Sequence, residues 1–128
     1  FPYTTLFRSI ESAKQLDRDK MRGALFENMI VMEIIKHRYN QGKTGGVFFY
    51  RDSNQNEVDI LLKQEGEITA LEIKSAMTYN SSFEKSLKQI PNWINTPITN
   101  RAVIYSGDFE NTSSDIKLLN YSHLGDIL

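Results

Sequence analysis

Between residues 47 and 75, three short apolar segments follow one another with only polar turns between them. No other stretch restricts the fold as much. VFFYR (47–51) precedes the turn DSNQN, EVDILLK (57–63) alternates Val58, Ile60 and Leu62, and after QEGE comes ITALEIKS (68–75), alternating Leu71 and Ile73. A period of two places alternate side chains on one face of a strand. Turns this short join antiparallel neighbours, because parallel strands need a long crossover. The expectation is an antiparallel three-stranded meander with Val58, Ile60 and Leu62 on one face.

Helical periodicity flanks it. In residues 21–39 (MRGALFENMIVMEIIKHRY) Leu25, Met29 and Met32 recur at helical spacing, as do Phe26, Ile30 and Ile34, which predicts a helix with a wide apolar face. The following NQGKTGG stops it. A second helix is expected over residues 82–95, with Phe83, Leu87, Ile90 and Ile94 on one face and Pro91 forcing a kink or an early end. RAVIYSG (101–107) reads as an apolar strand and DIKLLNY as a further one. The order α-β-β-β-α-β implies an α/β chain, a mixed α+β sheet flanked by helices, and 128 residues suit one domain.

Composition narrows the chemistry. The chain has no Cys, which removes disulfides, thiolate catalysis and Cys-ligated zinc together. His37 and His123 are the only histidines, too few for a His-rich metal site. The net charge is −1, so no global basic field favours nucleic acid or an anionic membrane. No apolar run approaches the roughly 20 residues that span a bilayer, and a cytoplasmic location is expected.

The first nine residues stand apart. FPYTTLFRS lacks Met and either periodicity, and back-translated it resembles the end of a common short-read sequencing adapter. Residues 1–9 are therefore expected to be a non-native, poorly packed segment. Residues 10–20 read as a linker or helix remnant, and residues 21–128 as the domain, the C-terminal part of a longer protein.

Charged pairs in the central strands suggest where chemistry resides. Glu57 and Asp59 lie two apart in EVD, and Glu72 and Lys74 two apart in EIK; each pair shares a strand face. Pairing through QEGE brings Asp59 near Glu72. Two such carboxylates repel unless one protonates or a cation joins them, and oxygen-only ligands suit magnesium or manganese better than zinc. Lys74 beside them can polarise a water or neutralise charge growing on a phosphate. The plain alternative is a solvated strand face, and another such triplet, Asp115-Ile116-Lys117, carries no assigned role. Glu27 adds weight: it interrupts the nearly apolar GALFENMIVMEII, where an unpaired carboxylate is costly. The helix margin, with the carboxylate in solvent, is its bland reading.

Glu27, Asp59 in NEVDI, and Glu72 and Lys74 in LEIKS resemble the PD-(D/E)XK nuclease superfamily. GALFENMIVMEI, FYRDSNQNEVDILL and LEIKSA, with TYNSSFEKSLKQ and VIYSGD, more narrowly resemble the C-terminal domain of unknown function (family 4143) that follows an AAA+ ATPase domain in many bacterial proteins. Val58 stands where the superfamily often has Pro before its central Asp. No phosphate-binding loop is present, GKTGG at 42–46 being only a partial likeness, so no ATP site is expected in this chain.

The resemblance implies a restriction-endonuclease-like αβββαβ core. Asp59, Glu72 and Lys74 would be catalytic, and Glu27, Asp59, Glu72 and the Ile73 carbonyl would hold Mg²⁺ or Mn²⁺. The implied activity is magnesium-dependent phosphodiester hydrolysis of DNA, with the missing N-terminal ATPase domain as partner. The alternatives are a catalytically inactive nuclease-fold module that binds DNA or a protein and regulates the ATPase, and a scaffold with solvated charges. Glu57, Arg51 and Ser75 are possible supporting residues, and Lys85 and Lys88 possible phosphate contacts. Each of these five has the plainer reading of a solvated surface residue. Trp93 and Tyr79 are expected to pack, and His37 to act as a helix-end cation.

Overall fold

The computed structural model describes residues 21–128; the expectations for residues 1–9 and 10–20 lie outside the described residues. Helix α1 (Arg22–Asn40) is followed by strands β1 (Val47–Arg51), β2 (Glu57–Gln64), β3 (Glu67–Lys74), β4 (Ile98–Tyr105) and β5 (Ile116–Asn120). Together they make one α+β domain with a five-stranded mixed sheet in chain order. β1, β2 and β3 run antiparallel, whereas β4 joins β3, and β5 joins β4, in parallel.

Local chemistry sets the turns. In DSNQN the Asp52 carboxylate accepts the backbone N–H groups of Asn54 and Asn56, at 2.9 and 3.1 Å, an Asx-type closure. Glu65 and Gly66 both have positive φ, 53° and 82°, as a two-residue type I′ hairpin requires. The GKTGG segment wraps a side chain: buried Arg38 donates from Nε to the Gly45 carbonyl at 3.1 Å. Gly46 has φ 76°, and a Cβ there would lie 2.6 Å from Arg38 Nη2 and 2.8 Å from the Lys63 carbonyl.

Between β3 and β4 lies the short helix α2 (Lys85–Gln89), preceded by a 3₁₀ turn at Ser81–Glu84 and followed by another at Ile90–Asn92. The helix expected over 82–95 is thus broken, and Pro91 lies in the second turn. Pro91 has no N–H for the Leu87 carbonyl one turn back; Arg101 Nη1 donates to that carbonyl instead, at 2.9 Å.

Both faces of the sheet are covered. On one, Ile30 and Ile34 of α1 pack against Ile60, Leu62, Leu71 and Ile73. On the other, Leu87 and Ile90 pack against Val58, Leu61, Ile68 and Ala70, with Phe83 and Ile94 alongside. Two expectations are corrected here. Met29 and Met32 are 42% and 44% exposed, because the stripe on the sheet follows Phe26, Ile30 and Ile34. Val58 faces α2 whereas Ile60 and Leu62 face α1. The register explains the second. Phe48 pairs with Leu61 and Tyr50 with Val58, so Asp59 and Ile60 together oppose Phe49. This β-bulge reverses the alternation and re-aims the bulged side chain.

Candidate functional site

The bulge lies beside the point where β2 and β3 stop pairing through backbone alone. Their register, with Ile60 opposite Leu71, brings Asp59 opposite Glu72. Side chains serve the backbone there: the Ile73 N–H donates to Asp59 Oδ2 at 2.8 Å, and the Asp59 N–H to Glu72 Oε1 at 3.3 Å. Lys74 Nζ lies 3.8 Å from Glu72 Oε2 and 5.7 Å from the centre of the Phe83 ring. Tyr79 meets Phe83 edge to face at 6.1 Å. A strand residue's N–H and C=O leave on the same edge, so the Ile73 carbonyl also points toward β2.

Glu27 approaches from α1, whose first turn runs beside the end of β3; a Cβ on Gly23 would stand 3.9 Å from Ser75 Oγ. Glu27 lines a cleft of about 150 Å³ with Phe49, Tyr50, Arg51, Glu57, Val58 and Asp59. The carboxylates sense one another there. Burial, then the charges of Asp59 and Glu57, raises the Glu27 pKa, and Lys74 opposes them. Burial also raises Asp59, against the hydrogen bond from Ile73. Glu72, only 6% exposed, is pushed up to about 8 by burial first and Asp59 second, with Lys74 opposing. Three carboxylates around one lysine are electrostatically unsatisfied, and oxygen donors of this kind fit a hard divalent cation. They are not already gathered round one: among the described residues, no group of three or more His, Cys, Asp or Glu is placed to hold a metal ion.

Residues 22–124, which include all of these groups, match the family "Domain of unknown function (DUF4143)". The chain belongs to this family. No curated protein and no solved structure matches it.

Other residues of this DUF4143 domain divide by their contacts. Arg51 Nε donates to Glu57 Oε1 at 2.6 Å across β1 and β2, and both side chains are largely exposed. Lys88 pairs with Glu84 at 3.6 Å one helical turn away, and Lys85 is exposed. Trp93 packs, stacked on Tyr50 at 5.6 Å and 11°. His37, in the last turn of α1, contacts Gln41 at 3.0 Å. No helix among the described residues is long and apolar enough to cross a membrane.

Two contacts in the DUF4143 domain were not read from sequence. Phe83 appeared there only as an apolar position, and nothing local announces that a lysine from β3 crosses its ring. His123 Nδ1 meets Glu110 at 2.8–2.9 Å, while Glu110 also accepts the Asn120 N–H at 3.0 Å. This pair ties the final 3₁₀ turn (Tyr121–Ile127) to the β4–β5 connection, and its thirteen-residue separation leaves no sequence signal.

Proposed function

We propose that this DUF4143 domain is a nuclease domain of PD-(D/E)XK type, hydrolysing DNA phosphodiesters with Mg²⁺ or Mn²⁺. The Asp59–Glu72 pair carries the reading: two carboxylates held face to face, one of them buried, with Lys74 beside them. Such a pair is expensive unless a cation or proton joins it. Asp59 and Glu72 would hold the metal, with Glu27 and the Ile73 carbonyl supporting it. When bound, the metal supplies Lewis-acid stabilisation of phosphate charge and a lowered pKa for water. Lys74 orients the attacking water through its ammonium protons and offsets negative charge on the phosphate. Phe83 limits where that ammonium can sit, and the Ile73 amide fixes the Asp59 carboxylate. In this reading the domain works in the cytoplasm as the partner of an AAA+ ATPase domain.

The second reading has its own observation. Asp59 and Glu72 already accept backbone amides, and among the described residues no three-carboxylate group stands ready for a metal. That favours a nuclease-fold module that binds DNA or a protein and regulates the ATPase without cleaving. Magnesium titration with DNA cleavage, compared with Asp59→Ala and Lys74→Ala, separates the two. The nuclease reading expects magnesium-dependent cleavage, reduced ~10²-fold or more by each substitution. Cleavage untouched by both rejects this site, and absence of cleavage supports the module.

A further inference from the structure

The carboxylate cleft has an aromatic lip. Val47 packs on the α1 face of the sheet, whereas Tyr50 stacks on Trp93 on the α2 face. Strand alternation therefore places Phe49 and Arg51 on the same side as Val47, where Glu27 lies. The cleft lining includes Phe49, Arg51 and Glu27 together with the bulged Asp59. Phe49 is 79% exposed, and among the described residues β1 is an edge strand paired with β2 alone. A ring this open forgoes burial worth about 1.5–3 kcal/mol. Among the described residues Arg51 is held by the exposed partner Glu57, and an exposed ion pair is weak enough to give way to another anion.

An aromatic ring and a guanidinium two residues apart on one strand face, about 6.8 Å along the chain, form a platform for an unpaired nucleotide. The ring stacks the base, and the guanidinium meets the phosphate. Bases within a duplex offer no free face to such a ring.

We infer that Phe49 and Arg51 form a stacking platform that leads single-stranded DNA to the Asp59–Glu72 pair. The identity of the ligand rests on the phosphodiester reading above; the platform itself rests on the cleft geometry. It makes an unpaired strand, or the frayed end of a duplex, the preferred substrate.

The test uses the full chain and two DNA probes of equal length, one single-stranded and one a hairpin, each with 2-aminopurine as a stacking reporter. A Lys74→Ala background keeps the DNA intact. The single strand is expected to bind more tightly and to quench the reporter. Phe49→Ala should weaken it about 5- to 150-fold, as loss of one stacked base does, with little effect on the hairpin. Phe49→Trp should restore both binding and quenching, and Phe49→Leu neither. Equal losses for both probes, Leu rescuing as well as Trp, or no quenching by the wild-type ring would overturn the platform. In the Lys74-intact protein, single strands cleaved equally fast by Phe49→Ala and wild type would overturn it while leaving the nuclease reading intact. Phe49-dependent quenching with no magnesium-dependent cleavage would sustain the platform and reject the nuclease reading.

Discussion

Asp59 and Glu72 stand opposite each other on β2 and β3 and are cross-linked through the backbone. Glu72 accepts the Asp59 amide, and Asp59 accepts the amide of Ile73, the residue after Glu72. Neither carboxylate can swing away without stranding an amide, so their mutual repulsion is built into the sheet.

Stability should therefore depend on pH in an unusual direction. Glu72 titrates near 8 in the folded chain against an ordinary 4.5, so the folded state binds more protons than the unfolded state between those values. Its stabilising contribution is complete below the ordinary value and is lost as pH rises through about 8; Asp59, also raised, acts in the same sense. Urea midpoints are expected to fall from pH 5 to pH 8, and to recover at pH 8 on adding magnesium. A midpoint that rises over this range would contradict the assigned shifts.

Glu72→Gln keeps the shape and removes the charge. Thermal melting at pH 8 should show a more stable protein than wild type, because repulsion and charge desolvation both disappear. Cleavage should fall by ~10²-fold or more in the same variant, as expected when a stabiliser of transition-state charge is removed. Loss of stability together with full activity would reverse the assignment.

Phe83 should matter through Lys74. Phe83→Leu keeps an apolar side chain against α2 but removes the ring face, and about 2- to 30-fold of kcat is expected to go with it, the scale of a cation–π contact. KM should stay nearly constant, and Phe83→Tyr should retain most of the rate. Equal rates for Phe and Leu would show that the ring only packs.

Gly46→Ala tests the wrap around Arg38. The φ of 76° disfavours any side chain, and the new Cβ would press on Arg38 Nη2 and the Lys63 carbonyl. A loss of roughly 2 kcal/mol or more is expected in urea unfolding. An unchanged midpoint would show that the loop can move aside at little cost.

Strands were legible where turn chemistry bounded them. VFFYR is legible to the residue because Gly-Gly precedes it and DSNQN follows. The facing of Asp59 and Glu72 followed from one short turn. The split of Val58 from Ile60 was not legible, because a bulge arises from strand pairing and leaves the hydrophobic pattern of β2 unchanged. The exposure of Met29 and Met32 is not legible for a related reason: α1 offers two apolar rows, and only docking on the sheet selects between them. Glu27 showed in the sequence as a charge among apolar residues, but its nearness to Asp59 and Glu57 depended on where α1 crosses the sheet.

The Glu65-Gly66 turn also bears on the order of folding. It joins β2 to β3 directly, so Asp59 and Glu72 meet by closing a short loop. Such hairpins form in about 1–10 μs, whereas the parallel pairings of β4 and β5 bring together more distant segments and are intrinsically slower. The two carboxylates therefore first come together in water, where their repulsion is weak. The larger electrostatic cost falls on the later step, when the helices close over a hairpin whose charges are already in place.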